Sequence, residues 1–140
     1  MSITLDGLEE LFKDLEQLED TTAYEAAMQK ACALVERSAK QKAPKGSGEL
    51  RRSITSKVEA DSSDVRGVIF TPLHYAPYVE YGTGLFAEET GRQDVPWSYQ
   101  DDKGEWHTTC GMKPHPYMRP ALADNKEKIL RLLKGAIQND

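Results

Sequence analysis

The stretch "TTAYEAAMQKACALVERSAKQKAP", residues 21–44, narrows the fold more than any other. Tyr24, Ala27, Met28, Ala31, Leu34, Val35 and Ser38 recur at three- and four-residue steps, the spacing that lines up side chains on one face of an α-helix. Thr22 and Glu25 have capping-box spacing, and Pro44 stops the helix near Ala43. Much of this face consists of small residues, so a sheet or a second helix can approach its axis closely. A chain that contains such a helix needs another layer to cover it.

The remaining patterns supply candidates for that layer. Leu5, Leu8, Leu11, Phe12, Leu15 and Leu18 form an earlier apolar stripe, with Asp6 and Glu9 at its start in capping-box spacing. "SITSKVEADSSDVRGVIF" reads as two strands around a polar turn. Ile54, Ser56 and Val58 share one face of the first, and Val65, Gly67 and Ile69 share one face of the second. Tyr75, Tyr78 and Tyr81 fall every third residue, along a short helix or an extended segment. Residues 85–94 carry no periodicity and read as a mobile loop. "VPWSYQDDKGEWHTTC" reads as a hairpin turning at Asp101–Gly104, which sets Tyr99 opposite Trp106 and Trp97 opposite Thr108. Pro114 and Pro116 force an extended approach to a last helix, with Pro120 in its first turn and Leu122, Ile129, Leu133 and Ile137 on one face. The expected architecture is a single α+β domain over residues 1–140. Two N-terminal helices (1–43) and a C-terminal helix (within 111–140) pack on a small antiparallel sheet. That sheet draws on residues 44–84 and includes the 95–110 hairpin.

Charge is segregated along the chain. Net charge is −5, yet residues 37–57 hold seven bases against one acid, while residues 1–20 hold seven acids against one base. Complementary faces of this kind suit association with copies or partners. The overall acidity works against general DNA binding, which depends on neutralising phosphates. No apolar run approaches the roughly 20 residues of a membrane span, so no membrane contact is expected. The acidic start lacks a secretion signal, which suggests a reducing cytoplasm, with Cys32 and Cys110 as free thiols.

Catalytic or metal chemistry finds little support. His107, Cys110 and His115, with His74, are the nearest approach to a zinc set, but the paired ligand spacing of zinc sites is missing. The assumed hairpin register also points His107 and Cys110 to opposite faces. Glu80 lies between tyrosines with no nucleophile or second positioned carboxylate to work with. No enzyme activity, metal or cofactor is expected. Tyrosines and arginines in "ELRRS" and "HYAPYVEYGTG" fit a protein–protein surface, where each combines contact area with a polar tip. The candidate interface residues are Arg51, Arg52, Tyr75, Tyr78, Glu80, Tyr81, Gly82, Thr83, Gly84 and Arg119.

Three stretches in order, "APKGSGELRRSI", "HYAPYVEYGTG" and "KPHPYMRPAL", resemble the tail-component family of lambdoid, HK-type siphophages, whose members are similar to the tail-completion protein of phage lambda. The matching positions are Leu50 to Ile54, then Tyr75, Ala76, Val79, Glu80, Gly82 and Thr83, then Pro116 and Arg119 to Leu122. The family turn before the double arginine usually carries Asp-Thr-Gly, where this chain has Gly46, Ser47 and Gly48. The resemblance implies a structural virion protein, assembled in the host cytoplasm, that acts in tail completion or head–tail joining at the neck. Its implied partners are further copies of itself, in a ring or other homo-oligomer, and the connector, tail terminator or tail tube proteins. Contact with DNA would be passive at most. A small prophage-encoded nucleic-acid-associated regulator is the alternative.

Overall fold

A computed structural model describes residues 1–5, 22–46, 48–60, 64–88 and 94–138. The chain divides into two compact units, Met1–Pro72 with Tyr117–Asp140, and Leu73–Pro116.

The first unit is built around the helix read from the sequence. Helix α1 spans Thr22–Lys42 and buries Tyr24, Ala27, Met28, Ala31, Cys32, Val35, Ser38 and Ala39. Glu25 in its first turn and Lys40 and Lys42 in its last complement the helix dipole. Its small-residue face lies against strands β2 (Thr55–Ala60) and β3 (Val65–Phe70) and against two C-terminal helices. Val65, Gly67 and Ile69 are buried, as their alternation predicts, and Ser56 and Val58 pair with Ile69 and Gly67. Burial pushes the Cys32 thiol up to about 11, so this cysteine behaves as a small core residue rather than a thiolate. Both cysteines are free, as expected, Cys32 buried and Cys110 exposed.

Three elements differ from the sequence reading. Ser2–Leu5 forms a strand, β1, which pairs antiparallel with β3 and gives the sheet order β1-β3-β2. Leu5 had been read as the start of a helical stripe, but it lies opposite Gly67 in the ladder. The rest of that proposed first helix, residues 6–21, lies outside the described residues. The basic stretch after Pro44, which carries no helical expectation in the sequence, contains a short helix, α2 (Glu49–Ser53). The C-terminal helix is divided into α4 (Met118–Asp124) and α5 (Lys126–Gln138). At the break, the buried Asn125 donates its side-chain amide to the carbonyl of Ala121 at 2.7 Å, competing with the continuous helical ladder. Pro120 sits in the first turn of α4, and Ile129 and Leu133 are buried on the face assigned to them. Among the described residues, no helix is long and apolar enough to cross a membrane.

The second unit contains helix α3 (Ala76–Tyr81), a 3₁₀ turn (Gly84–Phe86) and a two-stranded sheet of β4 (Trp97–Gln100) and β5 (Trp106–Thr109). The hairpin is present, but it forms a sheet of its own and is not part of the β1-β3-β2 sheet as expected, and its register is shifted by one residue. Tyr99 lies opposite His107 and Trp97 opposite Thr109, not opposite Trp106 and Thr108. The turn explains the shift. Gly104 adopts φ 83° and donates to the Asp101 carbonyl at 3.0 Å, while the Asp101 amide donates to the Glu105 carbonyl at 2.9 Å. That is a glycine bulge, which adds one residue to the loop and flips the second strand. Trp106 consequently turns away from Tyr99.

Candidate functional site

The sequence "YVEYGTGLF" turns on two glycines held against a second segment that carries a third. Gly82 and Gly84 have φ of 83° and 59°, and Gly111, on the facing segment, has 124°. The Thr83 amide donates to the Met112 carbonyl at 2.9 Å, and the Met112 amide donates back to Thr83 Oγ1 at 2.8 Å. The Leu85 amide reaches the Cys110 carbonyl at 3.0 Å, and the Glu88 amide reaches the Tyr81 carbonyl at 3.0 Å. A Cβ at Gly84 would meet the Cys110 carbonyl, and one at Gly111 would meet that of Thr83. The two backbones therefore approach as only glycine allows. Gly111 escaped the sequence reading because its partner, Thr83, is remote in sequence.

This brace displays apolar side chains. Tyr78 is 55% exposed, and Tyr81, Leu85, Phe86 and Met112 are exposed beside it in the braced turn. Lys113 Nζ stands 5.9 Å from the Phe86 ring. Among the described residues, every large hydrophobic side chain in the exposed class belongs to the second unit: these five, with Tyr99 and Trp106 of the hairpin. Exposed apolar surface gathered in one region marks an interaction site more often than scattered single residues do.

The predicted interface residues separate into different roles. Tyr78 and Tyr81 face solvent, whereas Tyr75 is half-buried, edge-on to His74 at 5.7 Å. Glu80 is fully buried, on the same helical face as buried Ala76, so a docking partner cannot reach it in this conformation. Gly82, Thr83 and Gly84 form the brace itself. In the first unit, Arg51 caps α1: Nε and Nη2 donate to the Ala43 carbonyl at 3.2 and 3.1 Å, and Nη2 also to that of Gln41 at 3.4 Å. A cation at the helix C-terminus satisfies carbonyls and opposes the dipole. Arg52 and Arg119 are exposed. Arg51, Arg52, Arg37, Lys40 and Gln41 line an open hollow of about 310 Å³.

Among the described residues, one group of side chains could hold a metal ion. Asp101, Glu105 and His107 bring ligand-type atoms within 4.8 Å of one another. The Asp101 carboxylate already accepts the amides of Lys103 and Glu105 at 2.9 Å through Oδ1 and the His107 ring through Oδ2 at 2.7 Å. These bonds hold the hairpin tip closed and engage the Asp101 carboxylate and the His107 ring. His107 thus meets Asp101, and its ring stacks on Tyr99 at 5.3 Å.

The family model described as "Bacteriophage HK97-gp10, putative tail-component" matches residues 6–82, more than half of the 140. The chain belongs to this family. It is thus a tail-related structural protein of a bacteriophage, the kind of molecule that meets other virion proteins, and the apolar surface described above suits that work. The match spans the first of the three stretches that carried the resemblance, ends at Gly82 inside the second and stops before "KPHPYMRPAL". No curated protein and no solved structure is a significant match to the tail component.

Proposed function

We propose that this tail component acts at the neck of the virion, in tail completion or head–tail joining, as the lambda tail-completion protein does. It would work by binding copies of itself and a connector, tail terminator or tail tube protein, with no bond made or broken and no cofactor. The observation that carries this reading is the gathering of exposed aromatic and apolar side chains on residues 73–116 of a family member whose other unit, among the described residues, exposes no large apolar side chain. Tyr78, Tyr81 and Phe86 are the anchors, because large rings supply contact area with few rotatable bonds.

Imaging particles from a phage that lacks this gene tests the role directly. The expected result is full heads and finished tails that fail to join; intact, infectious virions would overturn it. A nucleic-acid-associated regulator is the second reading, favoured by the basic hollow around Arg52. It predicts a gel shift that survives moderate salt, whereas the assembly role predicts weak, sequence-blind binding that does not.

A further inference from the structure

The β4–β5 hairpin exposes side chains on both faces. Ser98, Tyr99, Gln100, Trp106, His107 and Thr108 are all exposed, Trp106 at 70%. A two-stranded ribbon is marginal in water on its own. This one is held at its tip by the Asp101 bonds. The tip also carries the exposed carboxylates of Asp102 and Glu105, against one base, Lys103.

The first unit carries a surface of opposite character. Arg37, Lys40, Arg51 and Arg52 converge on the open hollow, with Gln41 beside them. Glu36 offsets part of this charge through Lys40, at 3.7 Å, and Arg51 is occupied with the carbonyls at the end of α1. Arg37 and Arg52 are both exposed at its edge, and Arg52 already has an interaction within its own chain. Their guanidinium groups can clasp carboxylates and stack on an indole face, and their aliphatic stems offer apolar walls.

We propose that the hairpin tip of one copy docks in the basic hollow of the next, with Asp102 and Glu105 against Arg37 and Arg52 and Trp106 laid along their stems. The occupant is a second copy of this chain because the complementary charge and the exposed aromatic ribbon are both present on it. The overall charge of −5 disfavours a nucleic-acid occupant. The contact joins two different surfaces, so it propagates head to tail and either closes into a ring or runs on as a filament. It rests on the self-association in the proposed function and names the surfaces that produce it.

The test is the mass of the full-length protein in solution, by light scattering across concentration and salt. The wild type should associate at low salt and dissociate as salt rises. The double variant Asp102→Lys, Glu105→Lys should associate at least tenfold more weakly, and so should Arg37→Glu, Arg52→Glu. All four positions are exposed, and far-ultraviolet circular dichroism confirms that the variants fold. Mixing the two double variants should restore association, because the reversed tip then meets a reversed hollow. Trp106→Ala should weaken association without changing its salt dependence. Wild-type mass in both double variants, no rescue on mixing, or a wild type that stays monomeric would overturn the contact. So would a short DNA duplex whose binding is lost in Arg37→Glu, Arg52→Glu while mass is unchanged. Particle morphology without the gene reads the neck role separately, so failure of this contact leaves that role standing.

Discussion

Two regions of one chain solve opposite problems. Met1–Pro72 with Tyr117–Asp140 holds nearly all the fully buried apolar side chains among the described residues, whereas Leu73–Pro116 contributes Ala76 alone. The reverse holds for exposed large apolar side chains, which among the described residues all lie in Leu73–Pro116. One unit is stabilised by burial of side chains. The other is held by backbone hydrogen bonds, close glycine contacts and a carboxylate-tied turn, which leaves its rings free for a partner. Polar and backbone ties fix a shape without consuming apolar surface, which is what a binding region requires.

Core truncation gives the largest expected effect on that contrast. Leu133 is fully buried on α5, which packs on α1. Leu133→Ala should cost about 2–5 kcal/mol in denaturant unfolding. Phe86→Ala, in the exposed turn, should stay within about 0.5 kcal/mol, as surface substitutions do. Equal costs for the two would end the distinction between the regions. Next comes the glycine brace. Gly84→Ala forces a left-handed φ on alanine and drives its Cβ into the Cys110 carbonyl, for a local cost of about 1–3 kcal/mol. Faster hydrogen exchange at the Thr83, Leu85 and Met112 amides would show it, and unaltered exchange there would mean that the brace is not what holds the turn.

How far the sequence reveals such a division depends on how local the cause is. The face of α1 repeats every three to four residues over more than five turns, so Ala31, Val35 and Ser38 could be assigned inward from spacing alone. The β2–β3 ladder was legible for the same reason. Leu5 was misread because one leucine fits a helical stripe and a strand equally well, and pairing with remote Gly67 decides between them. The hairpin slipped by one because Gly104 adds a bulge, which alternation of aromatics does not reveal. At the candidate site, the tyrosine spacing indicated the solvent face of α3 for Tyr78 and Tyr81. The matching inward pair, Ala76 and Glu80 at four-residue spacing, was equally visible and went unused. The role of Arg51 was not legible, since it depends on the carbonyls of Gln41 and Ala43 pointing back at a turn the sequence does not position.

That arginine provides a smaller test. Arg51→Met keeps the aliphatic stem and removes the donors that satisfy the end of α1. Loss of a helix-end partner at a half-buried site should cost about 1 kcal/mol, read as a lower denaturation midpoint. If Arg51 served only a partner, stability would hold and assembly alone would suffer.

Acidification is the gentlest probe of the second unit. The His107 ring, followed by the Glu105 amide, holds the Asp101 carboxyl below its usual range. A carboxyl lowered on folding binds its proton more readily when the tip opens, so closure is favoured wherever Asp101 is ionised. The contribution is complete above the unfolded value of about 4 and fades as pH falls through the lower folded value. As pH falls below about 4, the Lys103 and Glu105 amides, both bonded to Oδ1, should lose protection from exchange together. In His107→Ala the same loss should begin at higher pH, because the strongest cause of the lowering is gone. Protection that ignores pH in the wild type, or loss at an unchanged pH in the variant, would show that Gly104 and the backbone bonds close the tip unaided. The comparison between the two units would then narrow to buried side chains against backbone alone.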